Sequence, residues 1–320
     1  MNNSKILIVG HKGQDGTLLR ESLAAQHTEV VGLRRGGLDY YDERGECTSS
    51  RVGEMRVEEV IQEELPSEIY YLAAEHSSSE GDLSTTLSPV SFTRYTETNV
   101  SGFLRTLDAV RLHSPQTRVF YASSSHIFGP GEARSLSETS PLNPQSFYAI
   151  TKAQAMWVAR KFRREAGLHV SCGILFNHES HLRKPSFFSA KIIEGAIQVK
   201  RGLVSEIFVG NLDAKADWGY ARDFVEAFQI LVRAGAPDDY VIATGETHTV
   251  KQFVSAVFES FDLDWRSHVQ QDPSLVEKQQ NIEKADPSKI FAETSWRPKL
   301  AFDDFVRLLV SDHLNKHKEE

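Results

Sequence analysis

Tyr148 and Lys152 stand one helical turn apart in the run Phe147-Tyr148-Ala149-Ile150-Thr151-Lys152. Side chains at i and i+4 share a helix face, so the spacing sets a phenol beside an ammonium. The ammonium's charge favours the phenolate and can hold a ribose hydroxyl. The phenol can then take a proton from a sugar hydroxyl while hydride leaves the same carbon for a nicotinamide. Upstream, an apolar run Arg118 to Ala122 leads into Ser123-Ser124-Ser125-His126-Ile127-Phe128-Gly129. A serine there, Ser124, can hydrogen-bond the same sugar hydroxyl. A Tyr-x-x-x-Lys spacing alone is common by chance, and a buried packing tyrosine is the rival reading of Tyr148. What His126 does beside a hydride site is a separate question.

A second constellation lies at the start of the chain. The β-branched run Ile6 to Val9 is followed by Gly10-His11-Lys12-Gly13-Gln14-Asp15-Gly16 and then by a helical pattern from Thr17 to Gln26. Glycines at 10, 13 and 16 allow a tight strand-to-helix turn and a close backbone approach to a pyrophosphate, with Gln14 and Asp15 opening the helix beside it. A glycine triplet is weak by itself; strand, turn and helix in this order supply the context it needs. The next strand, Glu29 to Leu33, ends in Arg34-Arg35. NAD sites usually carry Asp or Glu there. Two guanidinium groups suit the 2′-phosphate of NADP instead, with a solvated surface arginine pair as the alternative. Ala73, near the end of the strand Glu68 to Ala74, is expected on the same cofactor side.

These residues need a sheet to hold them. Short apolar strands at Ile6 to Val9, Glu29 to Leu33, Glu68 to Ala74, Arg118 to Ala122 and Val170 to Leu175 alternate with helical patterns at Val57 to Glu64, Thr96 to His113 and Ser146 to Glu165. That alternation predicts an α/β fold, a Rossmann-type doubly wound parallel sheet. After residue 176 prolines at 185, 237, 273, 287 and 298 punctuate shorter elements. The expected organisation is a dinucleotide-binding domain over 1–176 and a smaller C-terminal α/β substrate lobe over 177–320, some of whose segments return to the sheet. Ligands of open α/β sheets bind at the strands' carboxyl edge, which the lobe would cap.

Composition narrows the class. The 320 residues are 40% hydrophobic and 25% charged, with a net charge of -8. That disfavours a nucleic-acid or anionic-membrane surface. Two cysteines, Cys47 and Cys172, give no disulfide framework. The opening MNNSKILIVG has no apolar signal-peptide core, and no run of about 18 apolar residues occurs. A cytoplasmic protein without a membrane segment is expected. Asn177-His178-Glu179-Ser180-His181 lacks the His-Glu-x-x-His spacing of a zinc helix, and no metal site is expected. No G-x-S-x-G hydrolase elbow is present.

Together the glycine turn, Ser124, Tyr148 and Lys152 resemble the extended short-chain dehydrogenase/reductase family. GQDGTLL, EIYYLAA, GILFNHES, GNLDAKADWGYARDFVEA, YVIATGETHTVKQFV and DPSKIFAETSWRP are similar to the GDP-mannose 4,6-dehydratase branch, over nearly the whole chain. The resemblance implies that NADP oxidises C4 of a nucleotide-linked sugar, the C5 proton and a C6 hydroxyl are lost as water, and the hydride returns at C6. It implies a nucleotide-sugar substrate, GDP-linked, with Asn177 and Lys191 at substrate-binding positions. It also implies a homodimer or homotetramer, in which the loop after the second strand (Gly36 to Glu46) would reach a neighbour's cofactor.

The chain departs from that branch at informative places. The family's acid/base carboxylate, two residues after the catalytic hydroxyl, is replaced by His126 in Ser124-Ser125-His126. Three roles for His126 stay open. It serves as the C5 base and C6 acid, since an imidazole titrates near neutrality; or elimination is lost, leaving a C4 dehydrogenase, 4-keto reductase or epimerase; or it only bonds a loop. A catalytically silent cofactor-binding protein is the remaining alternative. Ala74-Glu75-His76-Ser77 replaces Ala-Gln-Ser-His, which makes Glu75 and His76 sugar-facing candidates. Ser50-Arg51 takes the adenine-contact position, with no clear strand around it. Two arginines expected on the diphosphate are missing: Ala216 replaces one, and the other falls near Val276. Lys184, Lys215 and Lys278 lie nearby in sequence, but lysine gives no bidentate fork, which leaves open a substrate other than GDP-mannose: another GDP-sugar, a heptose or a later pathway intermediate.

Overall fold

The structure is a computed structural model that describes residues 5–75, 88–130, 135–272 and 284–319. In chain order the first strands are β1 (Ile6–Val9), β2 (Val30–Arg34), β3 (Gly37–Tyr41), β4 (Cys47–Val52), β5 (Glu68–Tyr71), β6 (Arg118–Ala122) and β7 (Val170–Leu175). Then come β8 (Asn177–Glu179), β9 (Ile207–Val209), β10 (Lys215–Ala216), β11 (Trp218–Tyr220), β12 (Asp239–Ile242), β13 (His248–Thr249) and β14 (Val269–Gln271).

The main sheet has eight strands in the order β12-β7-β6-β5-β1-β2-β3-β4. β1 pairs in parallel with both β2 and β5, and the parallel ladder continues through β6 and β7 to β12. β1 and β7 are buried along their whole length, as expected where helices cover both faces of a parallel sheet. One face is covered by the helices Val57–Glu64, Gly102–His113 and Phe147–Ala166, through Val60, Phe103, Leu107 and Met156. The other is covered by α1 (Gln14–Ala24) and the helix Ala221–Arg233, through Leu18, Leu19, Phe224 and Phe228. Each fully buried Leu or Phe stabilises by roughly 1.5–3 kcal/mol, so these layers fix the strand ends that carry the site.

A separate core gathers Ile192, Ile193, Phe253, Val257, Phe305 and Leu309 from three later helices. Near it, β8 pairs with β11, β9 with β14 and β10 with β13. β12, late in the chain, lies in the main sheet.

The stretch after β2 differs from the expectation. Gly36 to Glu46 is not one long loop: Gly37–Tyr41 runs back antiparallel to β2, and Cys47–Val52 antiparallel to β3. Ser50 and Arg51 therefore lie in a strand. The reason is local. Gly36 takes φ +77, a left-handed turn that glycine adopts freely, and the alternation of Leu38, Tyr40 and Thr48 with their neighbours lets a hairpin extend the sheet. β4 ends the sheet fully exposed, which is why no burial pattern in the sequence betrayed it.

Candidate functional site

The glycine turn closes against the next strand. Gly10 has φ +93, and a Cβ there would lie 2.7 Å from the Ala73 nitrogen; one on Gly16 would lie 2.5 Å from the Gly10 oxygen. Only glycine allows those approaches. Gly13 is the N-cap of α1 and supplies no side-chain acceptor. The first N–H groups of α1 are thus left facing outward with the helix's partial positive charge. This arrangement fits a dinucleotide pyrophosphate: the backbone is open where a phosphate would approach, and no side chain caps the helix in its place.

Gln14 and Asp15, the next residues, tie α1 to β8. Gln14 Nε2 donates to the His178 carbonyl at 3.1 Å, and Ser180 Oγ donates to Gln14 Oε1 at 2.8 Å. His178 Nε2 lies 3.1 Å from both Asp15 oxygens. Burial raises the Asp15 pKa, but the neighbouring His178 and Arg183 outweigh it and hold the carboxyl well below the usual range. FNHES thereby has a structural role: Glu179 accepts from Ser189 Oγ at 2.6 Å and from Arg183 Nε at 3.0 Å.

Ser124, Tyr148 and Lys152 come together at the carboxyl ends of β6 and β7. The helix Phe147–Ala166 starts at Ser146, whose side chain caps the Ala149 N–H, and this cap fixes Tyr148 in the first turn. Ser124 stands beside the Tyr148 phenol and favours its ionised form. Lys152 is buried; its Nζ donates to the Ala122 carbonyl at 2.7 Å and lies 5.7 Å from the Tyr148 ring centre. Burial pulls the Lys152 ammonium down to about 7, against the charge of Asp15. Burial pushes the Tyr148 phenol up to about 12, while Ser124 and the Arg183 charge act the other way.

His126 follows in a short helical turn, its backbone N–H donating to Ser124 Oγ at 3.3 Å. Its ring meets Tyr148 edge-on, centroids 5.9 Å apart at 84°. Burial lowers its pKa, which favours the neutral imidazole, the form able to accept a proton.

The two arginines part company. Arg34 turns back onto Asp39 of β3, with Nε donating at 3.1 Å, while Arg35 pairs with Glu75 at 3.2 Å. Glu75 also takes Arg94, and its N–H donates to Asn99. The expected sugar-facing carboxylate is in this structure the centre of an ion-pair bridge, because two guanidinium groups converge on it. His76 and Lys278 lie outside the described residues. Asn177 sits on β8, next to the His178 that grips α1. Lys191 lies in the first turn of the helix Phe188–Lys200, and Lys215 is exposed on β10. Lys184 precedes that helix and is exposed.

Sequence reading missed Asn99. It is fully buried in a single π-turn, Glu97–Ser101, where only a helix was expected. Its side chain donates to Thr151 Oγ1 at 3.0 Å, and its carbonyl accepts from Tyr121 at 3.2 Å. It joins the Glu75 loop to the Tyr148 helix. The only hint in the sequence was a polar residue on the apolar face of Thr96 to His113; π-turns recur at functional sites.

Among the described residues no group of three or more His, Cys, Asp or Glu side chains could hold a metal ion, and no helix is long and apolar enough to cross a membrane.

The chain is similar to known proteins along nearly its whole length. A family model for GDP-mannose 4,6 dehydratase matches residues 7–309. GDP-mannose 4,6 dehydratase 1 of Arabidopsis thaliana is 34% identical, with 98% of this chain and 91% of that protein covered. The Homo sapiens GDP-mannose 4,6 dehydratase is 31% identical, over 95% and 90%. Among solved structures, RMD from Pseudomonas aeruginosa complexed with NADPH superposes with a TM-score of 0.79 at 20% identity, covering 98% of this chain and 99% of that one. The Thermus thermophilus UDP-glucose 4-epimerase with NAD superposes at 0.77 and 24%, over 98% and 99%. At these identities the two superpositions speak for the fold.

Proposed function

The chain belongs to the GDP-mannose 4,6-dehydratase family, and from that premise we propose that it is an NADP-dependent nucleotide-sugar dehydratase acting on a GDP-linked sugar. The observation that carries this reading is the meeting of Ser124, Tyr148 and Lys152 at one strand edge, with His126 edge-on to Tyr148.

The turn Gly10 to Gly16, with Ala73 behind it, would hold the pyrophosphate, and Arg34 and Arg35 would stand on the adenosine side. Bound there, the dinucleotide would supply a hydride acceptor for C4 and a hydride donor for C6. The chain's own groups manage the protons. Tyr148 takes the C4 hydroxyl proton, and Ser124 orients that hydroxyl. A phenol at about 12 is almost wholly protonated at pH 7, so it is the minor phenolate form that takes this proton. Ser124 and the Arg183 charge are what favour its ionised form. The 4-ketone acidifies C5. Neutral His126 takes the C5 proton and gives it to the departing C6 hydroxide, which leaves as water. The proton first taken from the C4 hydroxyl balances the one delivered to C5 at the end. Asn177 and Lys191, with Lys215, are read as substrate contacts.

A homodimer or homotetramer in the cytoplasm completes the reading. The exposed apolar side chains Leu104, Leu112 and Trp157 on neighbouring helices support an oligomer face.

The test is incubation of the purified protein with GDP-mannose and NADP, followed by mass spectrometry. Loss of one water is expected. Accumulated NADPH without loss of water favours the second reading, C4 oxidation or epimerisation alone. The missing carboxylate at His126 is the observation behind that reading. Binding of NADP with no hydride transfer to any nucleotide sugar would mark a silent protein.

A further inference from the structure

Asp39 is a buried carboxylate, 1% exposed, on the strand inserted after β2. It lies opposite Gly32 in the β2–β3 ladder, on the side where a Cβ on Gly32 would strike the His11 ring. Its oxygens gather Arg34, Ser50, His11 and Lys12 around the end of β2. Arg34 donates through Nε at 3.1 Å and Nη2 at 3.4 Å, and Ser50 Oγ at 2.8 Å. His11 Nε2 lies at 3.0 Å and Lys12 Nζ at 3.3 Å. His11 and Lys12 belong to the glycine turn itself. Burial raises the Asp39 pKa, but Arg34, Ser50, His11 and Lys12 outweigh it and keep the carboxyl ionised. Burial pulls the His11 imidazole below its ordinary value, against the pull of Asp39. Arg34 and Lys12 thus both spend their charge on the Asp39 carboxylate.

The end of β2 is where a Rossmann site reads the ribose 2′ position. An arginine there attracts a 2′-phosphate; a carboxylate repels it and accepts from a 2′-hydroxyl. In this chain both are present and bonded to each other, the carboxylate arriving from a neighbouring strand rather than from β2. Resting on the cofactor reading above, we propose that Asp39 is a specificity-determining residue of the cofactor site. By occupying Arg34 and Lys12 it weakens a 2′-phosphate's hold on them, and keeps the site open to NAD as well as NADP.

The test is equilibrium binding of NADP and NAD by calorimetry to the full chain. The wild-type protein is expected to bind NADP no more than about tenfold tighter than NAD. Asp39→Asn, which removes the like charge at nearly constant volume, is expected to widen that ratio by about tenfold or more, through tighter NADP binding. Arg34→Gln, which leaves Asp39 in place, is expected to weaken NADP by about tenfold and NAD by less than about threefold. A wild-type preference above about a hundredfold, which needs no variant to measure, overturns the proposal. So does an unchanged ratio in a folded Asp39→Asn protein, or an equal loss of both dinucleotides in Arg34→Gln. Failure of the wild-type chain to bind either dinucleotide overturns the cofactor reading, and this proposal with it.

Discussion

The carboxyl edge of the sheet has two corners, and they are built on different principles. At the Tyr148 corner each group hangs from a buried element: Ser124 follows β6, Tyr148 and Lys152 share a capped helix turn, and Lys152 is anchored on the Ala122 carbonyl. At the Arg34 corner the groups hang from a hairpin whose outer strand, β4, is exposed throughout. There polar side chains satisfy one another: Arg34, Lys12, His11 and Ser50 on Asp39, and Arg35 and Arg94 on Glu75. Chemistry at the first corner depends on a spacing that packing enforces. Recognition at the second depends on which charges pair, which a few substitutions can redistribute without disturbing the core.

The sharpest way to break this contrast is at Tyr148. Tyr148→Phe keeps the ring and its packing but removes the proton acceptor. Hydride transfer from the sugar, followed by nicotinamide absorbance in a single turnover, should slow by about a thousandfold while the melting temperature stays near wild type. An undiminished rate would put the chemistry elsewhere. His126→Gln should be next in size. Elimination should fall by about a hundredfold or more, with C4 oxidation still measurable. Normal loss of water from that variant would remove His126 as the base.

Lys152 sharpens the comparison through pH. Its ammonium falls to about 7 in the folded chain, against about 10.4 in an unfolded one. Between those values the unfolded chain binds the extra proton, so this group makes stability rise with pH across that window, and its full cost is present below it. Melting curves of the wild type and Lys152→Met from pH 6 to pH 10 should therefore diverge in favour of the wild type as pH rises; a constant difference would mean that Lys152 keeps its charge. The smallest effect belongs to the other corner. Arg51 pairs with Glu63 at 2.7 Å on the exposed β4, and Arg51→Ala should leave the midpoint of denaturant unfolding essentially unchanged. A clear drop in that midpoint would show that the hairpin is part of the core after all.

The same contrast governs what could be read from the sequence. The strands Ile6–Val9, Arg118–Ala122 and Val170–Leu175 and the helix Val57–Glu64 were expected within these limits, because buried apolar runs and amphipathic periods report burial directly. The glycine turn and the Tyr148–Lys152 spacing were equally legible, since both encode local backbone geometry. The β3–β4 hairpin was not. Its strands mix Asp39, Ser49, Ser50 and Arg51 with few apolar residues, and its outer strand buries nothing. Asn99 was hidden for a different reason: a π-turn changes the register inside a helix without changing its composition. The partners of Arg34, Arg35 and Glu75 come from 5 to 40 residues away along the chain, and no local pattern predicts such pairings.

The most direct test of the account follows a single hydrogen. GDP-mannose carrying deuterium at C4 is turned over by the wild-type chain with NADP, and the product is examined by NMR. The account predicts a dehydrated sugar with deuterium at C6, carried across the crevice beside Tyr148 and returned. Deuterium still at C4, or a dehydrated product with none at C6, would contradict it.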